Sequence, residues 1–355
     1  MSDGTATRRR RLTKYHKRIL GAAGSIAVVV LVFVFVLPQI ADYRDVLDVM
    51  RGLDWQDWAV LAGAVLLNLA TFPPPWMAAL PGLGYREAMA MTQASTALSI
   101  VSPAGAAVGM AASYSMLRSW KFGAAAVGLA VAIAGIWNQL VNLLFPVVAL
   151  ALLTAEDEDH PALRTAALIG VVALIVAVTS FALVLSRREW ARGIGDFAAR
   201  RASRALSVVR KGPVKWGGES FTAFRSEALG LLRRRWHVIT ITTLAGHLTV
   251  FVLLLVCLRV IGVTTAEVSV VEAFAAWALV RILGALPLTP AGVGVVEVGL
   301  TGALVAFGAP NAEAVAATLL YRALTVLPTL ALGLLAAATW RTHHPEESIE
   351  SPSDP

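Results

Sequence analysis

Charge is scarce in this chain. Of 355 residues, 15% are Asp, Glu, Lys or Arg against 57% hydrophobic, and the mean hydropathy is +0.70. Soluble domains carry about 25% charged residues, so a soluble protein of this composition would expose its apolar surplus and aggregate. Cysteine is nearly absent. Cys257 stands alone within the apolar stretch 250–258, which excludes an internal disulfide or a thiolate metal cluster and makes it a packing residue. The signatures of soluble catalysis are missing as well: there is no Walker loop, no HExxH and no metal-spaced Cys/His set, and His343-His344 falls in a polar tail. The expectation is a protein that is not an enzyme and needs no cofactor, whose transport, if any, is passive or coupled to an ion gradient.

What is abundant is uncharged apolar sequence in runs of 18 or more residues, enough to cross a hydrocarbon core of about 30 Å. Net charge is +7 and the pI about 10.0. In a soluble protein that would suggest nucleic acid. Here the basic residues flank the hydrophobic runs, as the positive-inside rule requires. Residues 1–18 include Arg8 to Arg11, Lys14, Lys17 and Arg18, and the apolar run 19–37 follows. That run is longer than a signal-peptide core of 7–15 residues and lacks a small-x-small cleavage site. It reads as a retained first span.

Six segments are long enough to cross: 19–38, 58–80, 122–153, 163–185, 236–259 and 312–340. Two more, 86–117 and 268–308, are broken by Ser102-Pro103-Ala104-Gly105 and Thr289-Pro290-Ala291-Gly292. Proline removes a backbone donor and the adjacent glycine weakens the helix further. Residues 86–101 would extend about 24 Å, marginal for a crossing. Each broken segment therefore reads as a hairpin that enters and leaves on one side.

Loop charge orients the chain. Residues 42–57 hold five Asp and two Arg, and 156–159 are all acidic, whereas 187–235 hold 13 Lys/Arg against four Asp/Glu. Placing basic stretches inside gives a cytoplasmic 1–18, both termini cytoplasmic, and hairpins entering from opposite sides. Scattered apolar residues in 187–235, among them Ile194, Phe197, Phe221 and Leu232, suggest amphipathic helices on the inner leaflet; a solvated basic loop is the alternative. The tail 342–355, rich in Glu, Ser and Pro, reads as disordered. Trp55, Trp58, Trp120, Trp190 and Trp236 lie near span ends, as interfacial anchors do.

The two breaks lie 187 residues apart, and each is followed by a long span with a proline in its second half, Pro146 and Pro328. The order span, hairpin, span thus occurs twice, over 58–153 and 236–340, in opposite orientation. The expected fold is all-α: a polytopic membrane protein with six spanning helices plus two re-entrant helical hairpins in an inverted repeat, the transmembrane domain covering 19–341. Such repeats with interrupted helices point to a transporter with its site near the bilayer midplane.

Helices restart at the breaks, so N–H groups around Gly105 and around Gly292 to Gly294 are available to an anion. Ionisable residues accompany the second break. Arg281 sits in the run 274–286, Glu297 lies seven residues after Pro290, and Arg322 lies in 314–335. Charges within spans suggest function, although the three could instead neutralise one another as a buried clamp. The first repeat offers neutral polar groups. Asn138 and Asn142, one turn apart on a helix face, could contact substrate or bond between helices, and Asn68 and His247 are read the same way.

The stretch from Arg281 through Pro287, Pro290, Gly292, Gly294 and Glu297, with Tyr321-Arg322 beyond it, resembles the lysylphosphatidylglycerol synthase transmembrane-region family, a flippase-like family of integral membrane proteins. Its pattern is an Arg, then Pro-x-x-Pro-Gly-Gly-x-Gly-x-x-Glu, then a Tyr-Arg in the last span. Pro103-Ala-Gly-Ala-Ala-Val-Gly, with Leu117-Arg-Ser-Trp120 after it, looks like the actinobacterial branch. Ala291 replaces a common Gly, and an acidic residue that many relatives carry after the first break is missing. The resemblance covers about residues 20–340 and implies a module that relatives carry joined to an aminoacyl transferase domain, here expected without that domain.

The resemblance implies translocation of a phospholipid or lipid-linked phosphate in the bacterial plasma membrane. Membrane lipids, anionic or lipid-linked phosphates, would be the partners, with no nucleic acid. The headgroup would sit between Pro103–Gly105 and Pro290–Gly294, met by Arg281 and Arg322, with Glu297 orienting Arg322 or carrying a proton, and Tyr321 in addition. A transporter of small polar anions and a non-transporting scaffold or regulator of envelope assembly are the alternatives.

Overall fold

The computed structural model describes residues 43–102, 105–156, 161–207, 217–284 and 292–339. The first span (19–38), Pro103, Pro287, Pro290 and the tail 342–355 lie outside the described residues.

The described residues form helices α1 (Tyr43–Arg51), α2 (Trp55–Thr71), α3 (Pro73–Ala79), α4 (Tyr85–Val101), α5 (Gly105–Ser119), α6 (Ala124–Glu156) and α7 (Pro161–Ser186). They continue as α8 (Arg188–Ser207), α9 (Gly218–Ile261), α10 (Val270–Gly284), α11 (Val295–Phe307) and α12 (Asn311–Thr339), with no strand among them. Five stretches are long and apolar enough to cross a membrane: Trp55–Ala79, Ala124–Ala155, Arg164–Ser186, Glu219–Ile261 and Asn311–Ala336. They match the five described expectations. The protein is an all-helical membrane protein.

Two details differ from the sequence reading. The span read as 58–80 bends where Pro73-Pro74-Pro75 opens α3; proline is tolerated in a first turn, where the missing N–H has no helical partner. Residues 218–235, read with the basic surface region, instead begin α9, a helix of 44 residues and so about 66 Å long. Ala228 and Leu232 are buried with Ile239 in one apolar cluster, and that packing carries the helix past Arg233, Arg234 and Arg235. Pro146 and Pro328 lie inside α6 and α12 without ending them.

The chain divides into two compact units that do not follow chain order. One takes the described residues within Met1–Ala70, Ala90–Ser113 and Leu248–Trp340; the other those within Thr71–Met89 and Tyr114–His247. In the second unit, Ala78, Leu129, Ile133, Ala228, Leu232 and Ile239 form a core joined by Trp137 and Phe181. The Trp137 indole N–H donates to Thr240 Oγ1 at 2.9 Å, and Asn138 Oδ1 lies 2.8 Å from His247 Nε2.

In the first unit, α4 and α5 fold back on each other. Ser99 Oγ donates to the Gly105 carbonyl at 2.9 Å, and a Cβ on Gly109 would lie 3.0 Å from the Ser95 carbonyl. The pairs 99/105 and 95/109 share one antiparallel register, so α5 runs back along α4. On α12, a Cβ at Gly333 would stand 2.4 Å from the Ala97 Cβ and 2.7 Å from the Gln93 carbonyl. The backbones of α4 and α12 touch there, as small residues permit between membrane helices. Before α10, Thr264 donates to Glu267 through both N–H and hydroxyl, which holds the Glu267 carboxyl below its ordinary range. Ser269 and Glu272 bond reciprocally as a capping box that starts α10.

Candidate functional site

Helix α10 carries Trp277 and Arg281 one turn apart, so both project from one face. Trp277 is buried against Phe251 and Phe274, with ring centroids 5.6 and 5.7 Å away. The Arg281 guanidinium carbon lies 4.8 Å from the Trp277 ring centre. That cation–π contact gives the charge an aromatic platform inside the helical unit.

The chain then re-enters helix through Gly292 (φ 67°) and Gly294 (φ 90°), conformations that strain any side-chain-bearing residue. A Cβ at Gly292 would lie 2.9 Å from Val296 Cγ2 and 3.3 Å from Gly284 Cα, so glycine there also lets α10 and α11 close together. Glu297 occupies the first turn of α11, near the positive end of the helix. Its Oε2 accepts the Gly294 N–H at 2.6 Å, and its Oε1 accepts Arg322 Nε at 2.7 Å. One carboxylate thus caps its own helix and anchors an arginine of α12. The side chains of Glu297 and Arg322 are 4% and 17% exposed. Tyr321, buried, lies in the electrostatic field of both Arg281 and Arg322. Two guanidinium groups against one carboxylate leave the cluster with a formal excess of one positive charge.

The N–H of Gly294, read from the sequence as open to an anion, is taken by Glu297. That donor is therefore not open to an anion. Of the three residues Arg281, Glu297 and Arg322, Glu297 and Arg322 form an ion pair, and Arg281 lies over the Trp277 ring. Gly105 lies at the other break, within the same unit, with its carbonyl bonded to Ser99. Asn138 and Asn142 belong to the second unit: Asn138 meets His247, and Asn142 Nδ2 donates to Gln139 Oε1 at 3.4 Å. Among the described residues, no group of His, Cys, Asp and Glu is placed to hold a metal ion.

Sequence reasoning passed over Trp277, Thr301 and Thr318. The Glu297–Arg322 contact sets the antiparallel register of α11 and α12, and one turn further along each helix stand Thr301 and Thr318. Both are 0% exposed, and neither hydroxyl has a hydrogen-bond partner among the described residues. Thr240, Thr243, Thr325 and Thr339 instead donate to the carbonyl one turn back, the usual helical solution. Polarity thus continues down the α11–α12 seam beneath the ion pair. A buried hydroxyl with no partner costs about 1–3 kcal/mol. Thr301→Val and Thr318→Val are expected to hold or raise the thermal midpoint in detergent; a fall of several degrees would show that the hydroxyls bind something in the folded protein.

The family model described as the lysylphosphatidylglycerol synthase TM region matches residues 22–333. No curated protein matches the chain.

Proposed function

The chain belongs to the lysylphosphatidylglycerol synthase TM-region family, a family of membrane proteins in lipid-related processes, and on that footing we propose that it translocates a phospholipid or lipid-linked phosphate. The observation that carries the reading is the excess positive charge of Arg281, Glu297 and Arg322 within an apolar helical unit. Charge at such depth is costly and marks substrate paths. A headgroup phosphate would meet Arg281 and Arg322, with Tyr321 as a neighbouring hydroxyl. Glu297 would act on Arg322, holding its Nε so that the guanidinium is presented in one orientation. No bond-making chemistry is assigned, and the role is that of a transporter rather than an enzyme.

The hairpins α4–α5 and α10–α11 would be re-entrant, approaching from opposite sides in an inverted repeat, with Pro103 and Pro290 at their tips. Helices of 17, 15, 15 and 13 residues reach about 20–26 Å, short of a full crossing, which supports that arrangement. The loop charges support an orientation with both termini in the cytoplasm, and the family resemblance supports a bacterial plasma membrane. The near-complete burial of Glu297 against Arg322 favours one competing reading, a non-transporting scaffold in which this pair serves only to join α11 to α12.

Arg281→Gln separates the two. It leaves the Glu297–Arg322 pair and the Glu297 cap in place, so thermal stability in detergent should stay close to wild type. Translocation of a fluorescent phosphatidylglycerol in reconstituted vesicles, followed by dithionite quenching, should fall at least about tenfold, the effect of one lost charge-assisted contact of about 1.5–3 kcal/mol. Unchanged translocation would remove Arg281 from the substrate path.

A further inference from the structure

A single residue, Arg187, separates the end of α7 at Ser186 from the start of α8 at Arg188. Helix α7 is the most apolar of the crossing segments, and Leu168, Ile169, Val172 and Ile175 are exposed along it, as a lipid-facing helix requires. Helix α8 therefore begins at the bilayer boundary and cannot move far from it.

At 3.6 residues per turn, Trp190, Phe197 and Arg201 fall on one stripe of α8, and Asp196, Ala199 and Ser203 on the opposite side. The burial pattern is the reverse of a soluble surface helix. Asp196, Ala199 and Ser203 are half-buried, and Asp196 Oδ1 lies 3.5 Å from where a Cβ on Gly217 would stand. From Asp196 onward the polar and small side thus faces the protein, whereas Arg188 and Arg192, on that side in the first turns, are exposed. Trp190 and Phe197 face away, 51% and 54% exposed. The Arg201 guanidinium carbon lies 5.1 Å from the Phe197 ring centre, while Arg187 and Arg200 are exposed beside the stripe. The helix carries five Arg against Glu189 and Asp196.

We propose that the Trp190–Phe197–Arg201 face of α8 docks on an anionic phospholipid surface. The aromatic rings enter at headgroup level, where amphipathic rings are stable, and the arginines beside them pair with lipid phosphates, whose geometry suits a guanidinium. The tether of one residue to a crossing helix puts this surface within reach, and the charge of α8 selects an acidic leaflet over a neutral one. The face is separate from the Glu297–Arg322 cluster, so the proposal stands whether or not the protein translocates lipid.

The test uses the full chain with Cys257→Ala, which removes the buried native thiol, and Phe197→Cys carrying an environment-sensitive fluorophore. Trp190→Cys is the second reporter, should the first fail to fold, and Ala199→Cys reports the protein-facing side. Each is reconstituted in nanodiscs of phosphatidylcholine with or without phosphatidylglycerol, and quenching by nitroxide-bearing lipid is measured. The expected result is strong quenching at 197 and 190 that depends on phosphatidylglycerol, and little quenching at 199. Arg200→Gln with Arg201→Gln should lower the docked-to-undocked ratio about thirty-fold. Equal quenching in both lipid compositions overturns the proposal, as does absence of quenching at 197 and 190, which would mean that protein or water covers this face.

Discussion

Arg322→Ala is expected to destabilise the protein by about 3–5 kcal/mol, enough to cut the yield of folded protein sharply. Sequence alone also allows a hydrated pair, whose loss would change stability little. The structure shows Glu297 4% exposed and bonded at both oxygens, to the Gly294 N–H and to Arg322 Nε. Removing the guanidinium leaves a carboxylate with its helical partner alone inside packed helices. Glu297→Gln with Arg322→Gln removes both charges at once, and the amide oxygen introduced on α11 can still accept the Gly294 N–H. That double variant should recover most of the wild-type melting temperature in detergent. Its translocation should stay absent, because α12 no longer offers a cation to phosphate. Recovery of both stability and translocation would make the pair a purely structural joint.

The second large effect is expected at Gly333. A Cβ there would sit 2.4 Å from the Ala97 Cβ and 2.7 Å from the Gln93 carbonyl, and the second of these is backbone that cannot swing aside. Gly333→Leu must push α4 away from α12, and overpacking of this kind costs about 1–3 kcal/mol or more. The same substitution at Gly302, where a Cβ would meet nothing within 4 Å, should be tolerated. Thermal unfolding of both variants in detergent checks the contrast. A Gly333→Leu protein as stable as wild type would mean that α4 and α12 do not meet at these residues.

Much of this architecture is legible in the sequence because lipid imposes a strong rule: backbone must satisfy itself, so apolar length and breaks become visible. The spans at 122–153, 163–185 and 312–340 come from long apolar runs, the last of them carrying Arg322, and the Ser102–Gly105 break ends α4 where α5 begins. Boundaries set by packing are less visible. Arg233, Arg234 and Arg235 look like the edge of a membrane segment, yet Ala228 and Leu232 bury on one face and the helix continues through them.

The site divides in the same way. Local relations can be read from spacing: Glu297 three residues after Gly294 is a helix-capping distance, and Arg281 one turn after Trp277 can reach its ring. Pairings across the hairpin need its register. Arg322 is 25 residues from Glu297, and until that contact is known nothing marks Thr301 and Thr318 as neighbours of the ion pair. Which partner Arg281 meets is likewise a matter of packing, since sequence spacing does not say whether Trp277 or Glu297 lies within its reach.

The proposed function is movement of phosphate-bearing lipids along a cationic path. It is tested most directly by reconstituting the purified chain in vesicles that carry trace fluorescent phosphatidylglycerol or, separately, a fluorescent diacylglycerol-linked sugar without phosphate. Dithionite accessibility is then compared with protein-free vesicles and with Arg281→Gln. The account predicts protein-dependent exposure of the inner-leaflet phosphatidylglycerol that Arg281→Gln abolishes and little acceleration of the uncharged lipid. Identical rates for both lipids, or rates no faster than in protein-free vesicles, would contradict it.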